Sequence, residues 1–252
     1  GLSAIVASGT SRLVADNTYA TRQSGAAMLD TAARLGLRVR GLWLTTGIED
    51  AQTNAVGRMV SRYGRLLEPK ELRQISRRDP NIFGPGVLFR YQRELEPPES
   101  SEGFAEIEHL PFVRQPDPAW SNRAVIVKAD GVLRRSRAGH RTPRSADDLD
   151  VPAEAAAVLG RFSQDGWVIA ALGWRPEIAE GVMTIDAAAA IDALMAARLG
   201  IAIETLDCLH PAGPPICWCR TPLPGLGVLC LYRHRLDPGQ CLYVGAGPQD
   251  PG

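Results

Sequence analysis

Four side chains of metal-ligand type fall within twelve residues of this chain: Cys208-Leu-His210, six intervening residues, then Cys217-Trp-Cys219. Whatever fold the chain adopts must let these two pairs meet. The segment between them, PAGPPI, is rich in proline and glycine and turns the chain back at low cost. A tetrahedral Zn²⁺ takes such a Cys₃His set, with thiolates at about 2.3 Å and imidazole at about 2.1 Å. A closed four-ligand set is structural, because a catalytic zinc keeps a position for water. The competing reading makes these cysteines small buried apolar side chains. Their place on both flanks of one tight loop favours the metal. Cys230 and Cys241, the other two of five cysteines, sit in apolar helix-like and strand-like contexts and read as buried. An odd, clustered set is no disulfide framework, so the expected compartment is the reducing cytoplasm.

The loop is embedded in an alternation of strand-like and helix-like segments. In the first half the pattern predicts a strand over 12–15 and helices over 22–35, 48–63 and 69–78, with a strand over 39–44. Residues 94–123 read as a proline-rich connector with a helix-like EGFAEIEHL inside it. Beyond it the pattern predicts strands over 124–127, 167–172, 201–206 and 241–244, and helices over 152–164, 185–199 and 226–234. This rhythm implies an α/β protein: two three-layer α/β domains with mainly parallel sheets, divided as 1–118 and 119–252. Ligand sites in such folds lie at the carboxyl ends of strands. Asp16, Asn17 and Thr18 occupy one such end, and Asp130 another.

Composition sets outer limits. The 252 residues carry 28 basic and 28 acidic side chains, so no global charge draws the chain to nucleic acid. No apolar run reaches the ~20 residues of a membrane helix, and the start lacks a signal-peptide pattern. No membrane partner is expected.

The segment CLHPAGPPICWCRTPLPGLG resembles the zinc loop and following motif of histidinol-phosphate and heptose-bisphosphate phosphatases of the haloacid dehalogenase (HAD) superfamily. The resemblance runs over about 125–250 and implies a HAD-like Rossmannoid second domain. In that family a strand ends D-x-D-G-[TV]. Its first aspartate attacks phosphate and its second is general acid/base. Mg²⁺ is held by the first and by a later aspartate. Here the strand ends Lys128-Ala129-Asp130-Gly131-Val132. Asp130 matches the acid/base position, and Lys128 stands in place of the nucleophile. The family's Ser/Thr, phosphate-binding Lys and metal-binding Asp appear as Gly173, Thr221 and Ala246, with Asp250 as a trailing acidic residue. The metal-ligand set Cys208, His210, Cys217 and Cys219 is intact. The resemblance therefore implies a structural zinc beside lost or impaired phosphatase chemistry.

VADNTYATR (14–22) and EPPESSEGFAEIEHLPF (96–112) resemble polynucleotide 5′-kinase domains of the P-loop type, which in some bacterial proteins are fused to a zinc-loop phosphatase-like domain. This second resemblance implies acceptor binding by Asp16, Asn17, Thr18 and Arg22. It also implies a lid helix whose Arg58, Arg62 and Arg65 face phosphates. The plainer readings are a helix N-cap cluster for 16–18 and a solvated helix face for the arginines. No G-x-x-x-x-G-K-[ST] occurs in the chain, so the phosphate cradle is missing. The expectation is a partial kinase-like domain lacking Walker A, cut from a longer protein that uses ATP and Mg²⁺. Taken together, the two resemblances imply a polynucleotide kinase/phosphatase-type protein. Its family would carry out ATP-dependent phosphoryl transfer and phosphomonoester hydrolysis on nucleic-acid ends or a small phosphorylated substrate, whereas this chain would be inactive or impaired. The alternative is a non-catalytic, zinc-stabilised HAD-like binding or scaffold module. The loop 134–144, with five arginines, either meets phosphates or is simply solvated.

Overall fold

The computed structural model describes residues 2–10 and 12–245. In the first half, α1 (Leu2–Ala7) precedes α2 (Arg22–Arg34), β1 (Arg40–Leu44), α3 (Ile48–Tyr63), α4 (Pro69–Ile75), α5 (Pro85–Glu94) and β2 (Glu106–Leu110). Thr21 caps α2 by accepting the Ser24 N–H. Asp16–Thr18, expected at that cap, lie upstream of it. The strand expected over 12–15 does not form: the segment has no regular structure, and Val14 is 84% exposed. A short apolar run without a neighbouring strand has no ladder to join. The helix expected in EGFAEIEHL is replaced by a single 3₁₀ turn at Ser100–Glu102 and then β2. Gly103 at φ 102° ends the turn, and residues 106–110 pair in parallel with 40–44. Ladder pairing overrides the local helical preference here.

The chain forms two compact units: one of residues up to 51 with 86–114, the other of 52–85 with 115 onward. The expected division at 118/119 is close to the break after Arg114 but misplaces 52–85, which belongs with the second unit. The first unit carries the parallel β1–β2 pair with α2 and most of α5.

The second unit contains β3 (Asn122–Lys128), β4 (Arg135–Ser136), β5 (Leu149–Asp150), α6 (Ala153–Gln164), β6 (Val168–Trp174), α7 (Pro176–Ala179), α8 (Ile185–Leu199), β7 (Glu204–Cys208), α9 (Gly225–His234) and β8 (Leu236–Val244). Its main sheet is wholly parallel, in the order β7-β6-β3-β8. β3 and β6 are buried through their middles on both faces, as a sheet covered twice requires. Val125, Val127, Ile169 and Ala171 share one core with Leu159 of α6 and Ile191, Met195 and Leu199 of α8. The α/β class with mainly parallel sheets is as the alternation implied. The chain goes from β3 out to β6 and β7, then returns to β8 on the other side of β3. That reversal opens a crevice at the carboxyl end of β3. Ala246 and Asp250 lie outside the described residues. Among the described residues, no helix is long and apolar enough to cross a membrane.

Candidate functional site

A cavity of about 310 Å³ opens at the carboxyl ends of β3 and β6. Lys128, Asp130, Gly131, Arg141, Leu172, Gly173, Trp174, Thr221 and Pro222 line it. The structure thus gathers Lys128, Asp130, Gly173 and Thr221, four positions that the HAD resemblance singled out, around one cavity. The volume is at the small end of ligand pockets, about 300–1,000 Å³.

Asp130 is fully engaged within the protein. Its Oδ1 accepts from Arg134 Nε at 2.9 Å and Nη2 at 2.7 Å, and its Oδ2 accepts the Trp174 N–H at 2.9 Å. Arg134, fully buried, also donates to Asp192 at 2.7 Å and to both oxygens of Asp207 at 2.8 and 3.0 Å. Arg175, equally buried, donates to Asp207 at 2.9 Å and to Asp192. Two guanidinium groups are thus enclosed by three carboxylates. Burial pushes Asp130 and Asp192 above the ordinary carboxylate range, against the pull of Arg134. Burial acts the same way on Asp207, but hydrogen bonds and charge from Arg134 and Arg175 outweigh it and hold that carboxyl low.

This network decides what can stand at position 173. Gly173 pairs in register with Asp207 on the next strand. A Cβ at Gly173 would overlap Asp207 Oδ1 and Arg134 Nη2 and come within 3.1 Å of Asp130 Oδ2. The Ser/Thr of the phosphatase motif therefore has no room. The sequence reading missed Arg134, Arg175, Asp192 and Asp207. Their signal was Asp192 amid the apolar residues in the middle of the alanine-rich α8 and Asp207 inside β7, positions where a charge is kept only if it has a buried partner.

The arginine-rich loop has divided roles. Arg134 is internal, Arg135 donates to Gly131 O at 3.2 Å, and Arg141 lies over the Trp174 ring at 3.7 Å from its centroid. Arg220 lies over the same ring at 5.0 Å, and the Trp174 indole N–H donates to His210 O at 2.8 Å. Trp174 so joins the cavity to the Cys/His loop.

In that loop Cys208 Sγ lies 3.5 Å from His210 Nδ1 and 3.7 Å from Cys217 Sγ, and Cys219 Sγ lies 3.2 Å from His210 Nδ1. All four donor atoms are within 4.8 Å of one another. The edges of a zinc tetrahedron built from bonds of about 2.3 and 2.1 Å are about 3.8 Å for S···S and 3.6 Å for S···N. The donor set and spacing therefore fit one such ion. So close together, the groups compete for protons. Hydrogen bonding with Cys208 and Cys217 lifts His210 to about 11, and Cys208 and Cys219 pull Cys217 down. A cation bound by thiolates and neutral imidazole removes that conflict. Behind the ring, His210 Nε2 donates to Glu68 Oε2 at 3.0 Å. Glu68 is 142 residues away in sequence, so no local pattern could reveal it.

A second group joins Glu204, Cys230 and His234. Here His234 Nε2 and Glu204 Oε2 are 2.5 Å apart and Arg233 holds the other carboxylate oxygen at 2.6 Å. These are hydrogen-bond lengths rather than coordination edges, and they tie the C-terminal end of α9 to β7. Cys230 is buried, as its context implied, whereas Cys241, expected to be buried as well, is only half-buried in β8.

Magnesium does not fit the cavity among the described residues. Lys128 contributes an ammonium, and the one carboxylate lining the cavity, Asp130, is spent on Arg134 and Trp174.

The residues expected to bind a nucleotide acceptor are divided between the units. Asp16, Asn17, Thr18 and Arg22 are in the first, Arg58 and Arg62 in the second. Arg22 is committed to Glu99 at 2.5 Å and to the Pro97 carbonyl at 3.0 Å. Arg58 is exposed, Arg62 pairs with Asp79, and Arg65 grips Glu71 through both terminal nitrogens at 2.8 and 2.6 Å.

No protein-family model matches the sequence, and neither does any curated protein. Among solved structures, the D,D-heptose 1,7-bisphosphate phosphatase of B. bronchiseptica, complexed with magnesium and phosphate, is 23% identical. It covers 51% of this chain and 72% of its own, with a TM-score of 0.45. A structure described as a HAD-like phosphatase from Mesorhizobium loti is 20% identical, covering 52% of this chain and 66% of its own, also with a TM-score of 0.45.

Proposed function

We propose that the second unit is a zinc-stapled HAD-like module that holds a small phosphate-bearing anion in the Lys128–Arg141 cavity and does not hydrolyse it. One observation carries this reading: Lys128 and Arg141 both line the cavity, while Asp130, the one carboxylate among its described lining residues, is held by Arg134. Phosphatase chemistry of the HAD type needs a carboxylate nucleophile that carries the phosphoryl group, and Lys128, at that position, cannot form the acyl-phosphate. Lys128 and Arg141 supply positive charge in a recess with low-dielectric walls, where the field on an anion is strong. Trp174, stacked under Arg141, fixes that guanidinium in place. The chain's own lysine takes the part that a divalent cation plays in phosphatases, so binding needs no added metal. Zinc, held by Cys208, His210, Cys217 and Cys219, keeps the loop closed beside the cavity and takes no part in chemistry. Thiolate ligands and unpaired cysteines suit a reducing compartment such as the cytoplasm.

The kinase-type reading of the first unit, with ATP and nucleic-acid ends as ligands, rests on the quoted motifs alone. Arg22, its main cation there, is already engaged by the protein.

Calorimetry with inorganic phosphate, with and without Mg²⁺, tests the proposal beside a turnover assay on a chromogenic phosphomonoester. Binding that ignores Mg²⁺ and turnover at the background rate are expected, and Lys128→Asp alone should stay inactive. Metal-dependent turnover by the unaltered chain would overturn the reading.

A further inference from the structure

The metal loop contacts a part of the chain that lies far upstream in sequence. His210, a proposed ligand, donates from Nε2 to Glu68 at the start of α4. Trp218, between two more ligands, is buried and donates its indole N–H to Phe83 O at 2.8 Å. Its ring also meets the Phe83 ring, with centroids 6.5 Å apart. Both contacts fall on residues 52–85, which pack with the second unit. On the other side of the loop, Gly225 N donates to Trp218 O at 3.0 Å, and a Cβ at Gly225 would overlap that carbonyl. The loop is therefore backed firmly against α9 while its His and Trp face the upstream segment.

We propose that the metal centre is a clasp, with Glu68 as the positioning carboxylate behind His210, so that metal occupancy and the docking of residues 52–85 strengthen each other. This rests on the zinc reading of the four-ligand loop. A carboxylate on the far nitrogen of a ligating imidazole fixes its tautomer and raises its basicity. Glu68 is itself oriented: its N–H donates to Glu71 Oε2 at 2.9 Å, and Arg65 holds both carboxylate oxygens of Glu71. Arg65, expected as a cation facing phosphates, thus serves this clasp. By linkage, whatever free energy the segment adds to metal binding, the metal returns to the segment.

The test uses the full chain. Zinc affinity is measured by competition with a chromophoric chelator in the unaltered protein and in Glu68→Gln. Outer-shell substitutions typically cost 10–100-fold in affinity, and Glu68 is 66% exposed, so about tenfold is expected. The Co²⁺-substituted Glu68→Gln protein should also show a shifted visible spectrum, which loss of a surface ion pair alone would not produce. Hydrogen exchange over 52–85 should quicken when the metal is stripped from the unaltered chain, an arm that needs no variant. Unchanged affinity and spectrum in Glu68→Gln, or identical exchange over 52–85 with and without zinc, would overturn the clasp while leaving the zinc site standing. A chain that takes up no zinc would remove both.

Discussion

A hydroxyl-bearing side chain at position 173 would enter space already held by Asp207 and Arg134. Restoring the phosphatase residue is thus a structural insult. Overpacking a filled site costs about 1–3 kcal/mol, and parting a buried ion pair costs about 3–5 kcal/mol more. Gly173→Thr should lower the free energy of unfolding by an amount in this combined range, read from the fall in denaturant midpoint multiplied by the m-value, and give no phosphatase activity. An unfolding midpoint equal to that of the unaltered protein would show that the network is not as tightly filled as described. Arg134→Met probes the same group from within, leaving Asp130 and Asp207 short of a partner, and it too should cost about 3–5 kcal/mol. At this scale the sequence showed which motif residues were replaced. It did not show what replaced their chemistry, because Arg134, Arg175, Asp192 and Asp207 come from four separate segments.

Elements were legible wherever a local signal agreed with tertiary packing. Residues 185–199 form a helix as expected because Thr184 caps one end, donated to by the Ala187 N–H, and Gly200 at φ 66° closes the other. Residues 106–110 were misread because their partner strand, 40–44, lies sixty-odd residues earlier and no local window contains it. The arginine loop was open to two readings, and its hydrogen bonds now explain its shape. Asp148 accepts the Ser136 hydroxyl at 2.8 Å, the Ala138 N–H at 2.8 Å and the Arg144 N–H at 3.0 Å. Burial alone would raise this carboxyl, but the Ala138 and Arg144 amides outweigh it, so its folded pKa lies below the ordinary value. The stabilisation it brings is fully present above the unfolded carboxylate pKa, about 3.9. It is lost as pH falls through the lower folded value. In NMR spectra the Ala138 and Arg144 amide shifts should therefore stay constant from neutral pH down to about 4 and move only below it. They should not titrate with this midpoint in Asp148→Asn. Movement centred above the ordinary carboxylate value would contradict the described hydrogen bonding.

For the whole molecule, a linear domain boundary was the natural reading of a proline-rich connector, and the break after Arg114 falls beside it. What a linear reading cannot anticipate is a segment that leaves its sequence neighbours. Residues 52–85 do so because α3 carries Val56, Met59 and Val60 along one buried stripe, and Leu67, Leu72 and Ile82 continue it. Each such side chain is worth about 1.5–3 kcal/mol when fully buried. A fragment begun at the connector, residues 115–252, would therefore lack the partners of Trp218 and His210 and part of the core that it needs. It should unfold at a lower temperature than the full chain, and its Trp fluorescence should shift to the red as Trp218 meets water. A synthetic peptide spanning 52–85, added in excess, should raise the melting temperature and reverse the red shift, because a ligand that binds only the folded state stabilises it by mass action. If 115–252 alone melts with the full chain and ignores the peptide, then residues 52–85 are a passenger on the second unit and the boundary read from the connector is the functional one.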